Sequence, residues 1–261
     1  MKLSRALFLG LACLTAATPS DNTPAEATGR ISWNTYLYWI TKLFPLNSAI
    51  DRAGHTVARA EKTIASVLRI KTTRNIPKRD PCTDITILFA RGTNEVGNLG
   101  TIVGPAFFDA VEDLARKKNL TVAMQGTNYN ASTQGYLYGG DPQGGKKMRR
   151  DLRHFLHHCP KTKIVLSGYA QGAQVLRNSF RWMPSLALRR RISSVVVFSD
   201  PKHPELIRKL PGAKQLSICH ERDNICFKPE VSNVVRLAHW TYGKDVGRAA
   251  EFVMAHVGGR S

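Results

Sequence analysis

Ile164-Val165-Leu166-Ser167-Gly168-Tyr169-Ala170-Gln171-Gly172-Ala173-Gln174-Val175 is the stretch that decides how this chain folds. An apolar, β-branched run stops at a glycine, turns over small residues and restarts with helical spacing. This is the strand–elbow–helix context in which a G-x-S-x-G motif holds a nucleophilic serine at the top of a sheet. Gly168 and Gly172 stand where strand and helix cross closely and the turn is strained, so both positions call for residues without side chains. The centre of the motif calls for serine, and here it is Ala170. The scaffold is written out, but the hydroxyl that would attack a carbonyl is missing.

Three more stretches belong with the elbow. Ala90-Arg91-Gly92-Thr93-Asn94-Glu95-Val96-Gly97-Asn98 precedes it, and Cys219-His220-Glu221-Arg222-Asp223-Asn224-Ile225-Cys226 follows, then Ala238-His239 with Tyr242-Gly243. In this order they resemble the A-R-G-[ST]-x-E-x-G segment, the short disulfide loop carrying the acid, and the segment carrying the base of the cutinase family. Gly168 to Ala173 resembles that family's G-Y-S-Q-G-A signature with one residue changed. The resemblance runs over about residues 80–257 and is not visible in residues 18–79. It implies an α/β fold: a three-layer α/β/α sandwich with a central, mainly parallel sheet, the small lidless α/β-hydrolase. It also implies a secreted fungal protein, monomeric and free of cofactors, acting on an ester, lipid or cutin-like polyester.

By the same resemblance His239 is the base and Asp223 orients it, while Ala170 fills the place of the nucleophile. The order nucleophile, acid, base is that of α/β-hydrolases. The elbow N–H of Gln171 is the first expected oxyanion donor, and the resemblance supplies Thr93 as the second. An acyl-enzyme cannot form on alanine, and Ser167 belongs to the strand before the elbow. Losing a triad nucleophile lowers turnover on the order of a million-fold, so little or no esterase activity is expected of the chain as written. The competing reading is a pseudoenzyme, a non-catalytic secreted binding protein that uses the acyl cleft and the basic surface. A natural pseudoenzyme, a serine-to-alanine form made to be inactive, and a recent loss or sequence error all fit the alanine.

Met1-Lys2-Leu3-Ser4-Arg5 followed by the apolar run from Ala6 to Ala12 reads as a secretory signal peptide over residues 1–17. No other run is long and apolar enough to span a bilayer. With Cys13 set aside, Cys82, Cys159, Cys219 and Cys226 form an even set suited to an oxidising compartment. Sequence leaves three pairings open; the resemblance implies Cys82–Cys159 and Cys219–Cys226. Asn119-Leu120-Thr121 and Asn130-Ala131-Ser132 are glycosylation sequons that fit a glycoprotein on the extracellular route.

Residues 18–79 read as an N-terminal extension or propeptide with amphipathic helices, ahead of a cutinase-like domain at 80–261. Trp33, Tyr36, Leu37, Ile40, Leu43 and Phe44 recur at three-and-four spacing up to Pro45. Val57, Ala60, Ile64, Val67 and Leu68 mark a second helix face. Lys78-Arg79, directly before Asp80-Pro81-Cys82, suits dibasic release of a pro-segment. A packed helical extension and a membrane-surface amphipath are the other readings.

Within the domain, strands are expected at residues 84–90, 120–124, 193–198 and 214–218, besides the elbow strand that runs from Ile164 to its glycine. Helices are expected at 105–118, 146–158, 171–182 and 246–257. The glycine-rich stretch from Gln134 to Gly145 reads as a loop, with Gly139-Gly140 and Gly144-Gly145 as mobile turns near the cleft. Strands joined by helices imply a parallel sheet covered on both faces.

The formal net charge is +19, and its densest runs are Lys146 to Arg153 and Arg189-Arg190-Arg191. These are solvated faces or an adhesive surface for an anionic cell wall or membrane. Nucleic acid is not expected, because no aromatic residues interleave with the charge. His154, His157, His158 and Cys159 have metal-ligand spacing. However, the implied disulfide claims Cys159, and histidines suit a helix C-terminus; no metal is expected.

Overall fold

A computed structural model of the chain describes residues 48–49, 62–63, 65–77, 80–181, 183, 189–208, 210–227 and 234–258. All of them fall in one compact unit, Ser32–Ser261. The expected signal peptide, the expected aromatic helix over residues 33–44 and Lys78-Arg79 lie outside the described residues.

The strands are β1 (Ser48–Ala49), β2 (Ile85–Ala90), β3 (Val122–Gly126), β4 (Lys163–Tyr169), β5 (Ile192–Phe198), β6 (Gln215–Ile218) and β7 (Val234–Val235). The longer helices are α1 (Gly104–Arg116), α2 (Thr133–Leu137), α3 (Pro142–His158), α4 (Gln171–Arg181) and α5 (Val246–Val257). Strands β2 to β6 form one five-stranded sheet in the order β3-β2-β4-β5-β6, with every pairing parallel.

Both sheet faces are buried, which is why the strands read as unbroken apolar runs. Side chains alternate between two cores. Ile85, Ile87 and Phe89 of β2 meet Phe107 and Val111 of α1 and Val253 of α5. Leu88 and Ala90 point the other way, towards Met148 and Leu152 of α3 and Leu176 of α4. The result is the expected α/β/α sandwich. Two disulfides join Cys82 to Cys159 and Cys219 to Cys226.

The glycine-rich stretch differs from its reading as a loop. Ser132 caps α2 by accepting from Gly135 N at 3.1 Å. Asp141 caps α3 by accepting from Gly144 N at 2.7 Å, and Pro142 opens the helix. An Asp-Pro start outweighs the weak helix propensity of the two glycines that follow. Gly144 and Gly145 are glycine for packing: an added Cβ would lie 3.0 Å from Tyr129 and 2.8 Å from Asn178. The turn itself is made at Gly139 and Gly140, with φ of 80° and 100°.

The second N-terminal helix face also differs. In the helical turn at residues 65–67, Ala65 is buried while Val67 is half exposed, because the helix ends at once and the chain reverses at Arg69 (φ 50°). Residues 71–77 then run along the domain as an extended strap. Thr72 O accepts from Asn98 N (3.0 Å) and Leu99 N (2.9 Å), and Arg74 O accepts from Gly126 N (3.0 Å). Ile76 N donates to Gln125 Oε1 (2.9 Å), and the Arg74 guanidinium sits 3.7 Å from the centre of the Phe108 ring.

Candidate active site

Ala170 closes β4 and opens α4, with φ of 51°. That left-handed backbone, rare for any residue but glycine, is held by Ala170 N donating to Phe198 O at 3.0 Å. The flanking glycines are forced. An added Cβ on Gly168 would lie 2.4 Å from Gly172 O, and one on Gly172 would lie 1.9 Å from Ala90 O. Strand, elbow and helix therefore cross as the sequence pattern requires, with a methyl group at the apex.

The loop after β2 supplies the facing wall, and Glu95 shapes it. Its buried carboxylate accepts from Gly92 N (2.6 Å), Thr101 N (2.9 Å) and Ile102 N (3.0 Å). Burial pushes this carboxyl above its ordinary range, against the pull of those N–H groups and of Arg91. Thr93 is thereby fixed beside the elbow. The Gln171 side chain donates to Thr93 Oγ1 (3.0 Å) and Ser132 O (2.8 Å). With its oxygen occupied as acceptor, the Thr93 hydroxyl keeps its own proton to donate. The Gln171 backbone N–H heads α4, where the first N–H groups have no acceptor within the helix.

Asp223 and His239 come from separate loops beyond β6. His239 lies in a 3-10 helix, Leu237–Trp240, and its Nδ1 is 3.1 Å from Asp223 Oδ2 and 3.2 Å from Oδ1. Asp223 is wholly buried. Burial pushes its carboxyl up, but the His239 charge and hydrogen bonds from His239, Ser199 and Ile225 N outweigh it and hold the group well below the usual carboxylate range. A carboxylate against Nδ1 sets the proton there, so Nε2 is the free base nitrogen.

Three neighbours hold this pair, and of them Ser199 carried no sequence signal. Ser199, at the end of β5, donates from Oγ to Asp223 Oδ2 (2.6 Å) and lies 2.9 Å from His239 Nδ1. The Tyr242 hydroxyl donates to Asp223 Oδ2 (2.8 Å) and accepts from His220 N (3.0 Å). Tyr169 OH donates to His239 O (2.7 Å), and its ring lies 5.1 Å from the imidazole.

Ala170, Thr93 and His239 open on one cleft, walled further by Tyr136, Val235 and Trp240. Gln171 lies beneath it and Asp223 behind His239. Residues 81–257 match the Cutinase family. The chain belongs to the cutinase family.

Among curated relatives, a cutinase of Hypocrea jecorina is 36% identical over 232 residues, covering 88% of this chain and 89% of that one. A cutinase of Botryotinia fuckeliana is 40% identical over 177 residues, covering 68% and 85%. Among solved structures, Trichoderma reesei cutinase in complex with a C11Y4 phosphonate inhibitor has a TM-score of 0.71 at 36% identity. It covers 86% of this chain and 98% of that one. An alignment covering 88% of the chain reaches back before residue 80, so the similarity to cutinases extends into the N-terminal segment, further than the motifs alone show.

Around the cutinase site, β1 pairs antiparallel with β7, bringing Ser48–Ala49 beside Val235 at the cleft wall. Burial, with Asp223 nearby, pushes the Tyr136 phenol up to about 12. His220 bonds Asp245 at 2.7 Å and stacks on Tyr242 with ring centres 4.0 Å apart. Asn119 and Asn130 are exposed. Among the described residues no three His, Cys, Asp or Glu side chains converge as metal ligands, and no helix is long and apolar enough to cross a membrane.

Proposed function

We propose that this chain carries a carboxylic ester hydrolase site of the cutinase type with the attacking atom missing, so that it binds acyl esters and turns them over little or not at all. The observation behind this is that Ala170, on a left-handed elbow, and His239, backed by buried Asp223, line one cleft. With serine at 170, the hydroxyl would lose its proton to His239 Nε2 and add to the ester carbonyl. Gln171 N–H and Thr93 would hold the oxyanion, and His239 would pass the proton to the departing alcohol. Water activated by His239 would then release the acid. A methyl group supports none of these steps.

Hydrolysis of p-nitrophenyl butyrate by this protein beside its Ala170→Ser variant tests the proposal. Turnover is expected in the variant alone, faster by on the order of a million-fold. If both are folded and inert, the pocket has drifted from catalysis and the second reading, a secreted protein that binds lipid or polyester in the cleft, replaces the first. That second reading has Ala170 itself in its favour. Turnover by the unmodified chain at the variant's rate would remove both.

The same proposal takes residues 1–17 as a removed signal peptide, the protein as an extracellular fungal monomer, and exposed Asn119 and Asn130 as glycan acceptors. Cleavage at Lys78-Arg79 would leave residues 71–77 held by Asn98, Gln125 and Gly126, so the strap is read as part of the working domain rather than a discarded pro-segment. The cationic excess serves adhesion to an anionic wall.

A further inference from the structure

Five parallel strands place all their first residues at one end of the sheet and the cleft at the other. A row of cations lies at the end away from the cleft. Lys117 and Lys118 follow α1, Lys161 and Lys163 lead into β4, and Arg190 and Arg191 lead into β5; all six are exposed. Register makes them neighbours. Lys163 sits across from Ile85 of β2, and the next residue, Ile164, pairs with Ile192, the residue after Arg191. Lys214, ahead of β6, extends the row by donating to Ile192 O at 3.0 Å.

Two carboxylates at this end are already engaged. Asp84 accepts from Thr121 N (2.8 Å) and Oγ1 (2.7 Å), and Asp113 is bonded by Arg116 (2.9 Å). The signs are mixed at the cleft end, where Glu95, Asp200, Asp223 and Asp245 stand among Arg91, Lys202 and Lys244. The far end thus carries a row of exposed cations, while the run from Lys146 to Arg153 lies along α3 between the two ends. Helix dipoles draw cations to helix C-termini and account for Lys117 and Lys118. They do not account for Lys163 and Arg191 at strand starts, because strand dipoles are small.

We propose that this basic end is a docking surface for a carboxylated polysaccharide, a polyuronate-type wall polymer, which leaves the cleft facing away from the polymer. A membrane-docking face also needs apolar side chains to insert. Of the described large exposed ones, Leu137, Tyr138, Phe227 and Leu237 belong to elements around the cleft, and Val67 precedes the strap whose Thr72 bonds the loop after β2. Leu206 alone lies towards the basic end, beside Gly212. Single-stranded nucleic acid needs aromatic platforms, and the row of cations holds none. Closely spaced lysines and arginines without apolar or aromatic companions match a chain of closely spaced carboxylates. The inference rests on the wall-adhesion part of the proposed function; its readout is retention, so failure of the Ala170→Ser variant to turn over ester leaves it standing.

The test is retention of the full chain on cross-linked polygalacturonate against uncharged agarose, with phosphatidylglycerol vesicles as a second arm. One triple variant carries Lys161→Glu, Lys163→Glu and Arg190→Glu. A control triple at the cleft end carries Lys202→Glu, Arg222→Glu and Lys244→Glu, with the same change in net charge. The first is expected to weaken retention about tenfold or more and the control less than about twofold, with salt eluting the parent chain. Equal weakening by both triples, no retention on polygalacturonate, or preferential binding to the vesicles overturns the proposal. If a triple fails to fold by circular dichroism, Lys163→Gln with Arg190→Gln against Lys202→Gln with Lys244→Gln repeats the comparison.

Discussion

The Ser199 hydroxyl donates to the buried Asp223 carboxylate at 2.6 Å, and it does so beside His239 Nδ1, on the side of the imidazole away from its base nitrogen. Ser199 is therefore no substitute nucleophile, and it is wholly buried. It holds the acid while giving the Nδ1–H a second acceptor. In the Ala170→Ser background, Ser199→Ala should lower kcat about tenfold with KM nearly unchanged, the signature of an interaction felt in the transition state. Because Ser199 has φ of 49°, Ser199→Gly should lose the same activity yet be more stable than Ser199→Ala by about 1 kcal/mol. Steady-state kinetics and urea unfolding read the two effects separately.

Gly172→Ala should fail to fold or lose well over 3 kcal/mol, since its methyl group would press on backbone at Ala90 O. Gly247, inside α5, has nothing within 4 Å of an added Cβ. Gly247→Ala should gain about 0.5–1 kcal/mol from helix propensity. Thermal unfolding of the two variants should shift in opposite directions.

Two ionisable groups should tilt stability with pH in opposite senses. Asp223 is lowered in the fold, so its contribution is complete above its unfolded value of about 4 and drains away as pH falls through the folded one. His220 is raised, chiefly by its hydrogen bond to Asp245. Its contribution is complete below its unfolded value of about 6.5 and is lost as pH rises through the folded one. Melting temperatures against pH should therefore flatten on the acid side for Asp223→Asn and on the neutral side for His220→Gln.

The two disulfides should separate stability from function. Cys82–Cys159 spans 77 residues and Cys219–Cys226 only 7. Loop-closure entropy gives losses of about 4–5 and about 2 kcal/mol on removal. The smaller loop carries Asp223, and Cys226 Sγ lies 3.2 Å from the Tyr242 hydroxyl that bonds it. Replacing Cys219 and Cys226 by serine in the Ala170→Ser background should cost more activity per kcal/mol lost than replacing Cys82 and Cys159.

The sequence made visible those features whose causes are local. The elbow declares itself through Gly168 and Gly172, because backbone crowding there excludes any side chain. Asp223 and His239 could be found only through flanking motifs, since a lone Asp or His in a loop carries no local mark. Ser199 had no such flank. It ends an apolar strand, and its partners lie 24 and 40 residues away. Gly144 and Gly145 misled for a related reason: their weak helix propensity is local, whereas the Tyr129 and Asn178 surfaces that want glycine are distant in sequence. The strap at 71–77 has no apolar period at all. It is held through Asn98 and Gln125, and no pattern within the segment announces that.

The left-handed backbone at Ala170 owes nothing to the side chain it carries. Alanine gains nothing there; the shape is imposed by Gly168, Gly172 and the bond to Phe198 O. Under the function proposed above, restoring a serine at 170 asks for no rearrangement of the backbone: alanine and serine codons can differ by a single base, and the elbow would take the longer side chain in the shape it already has.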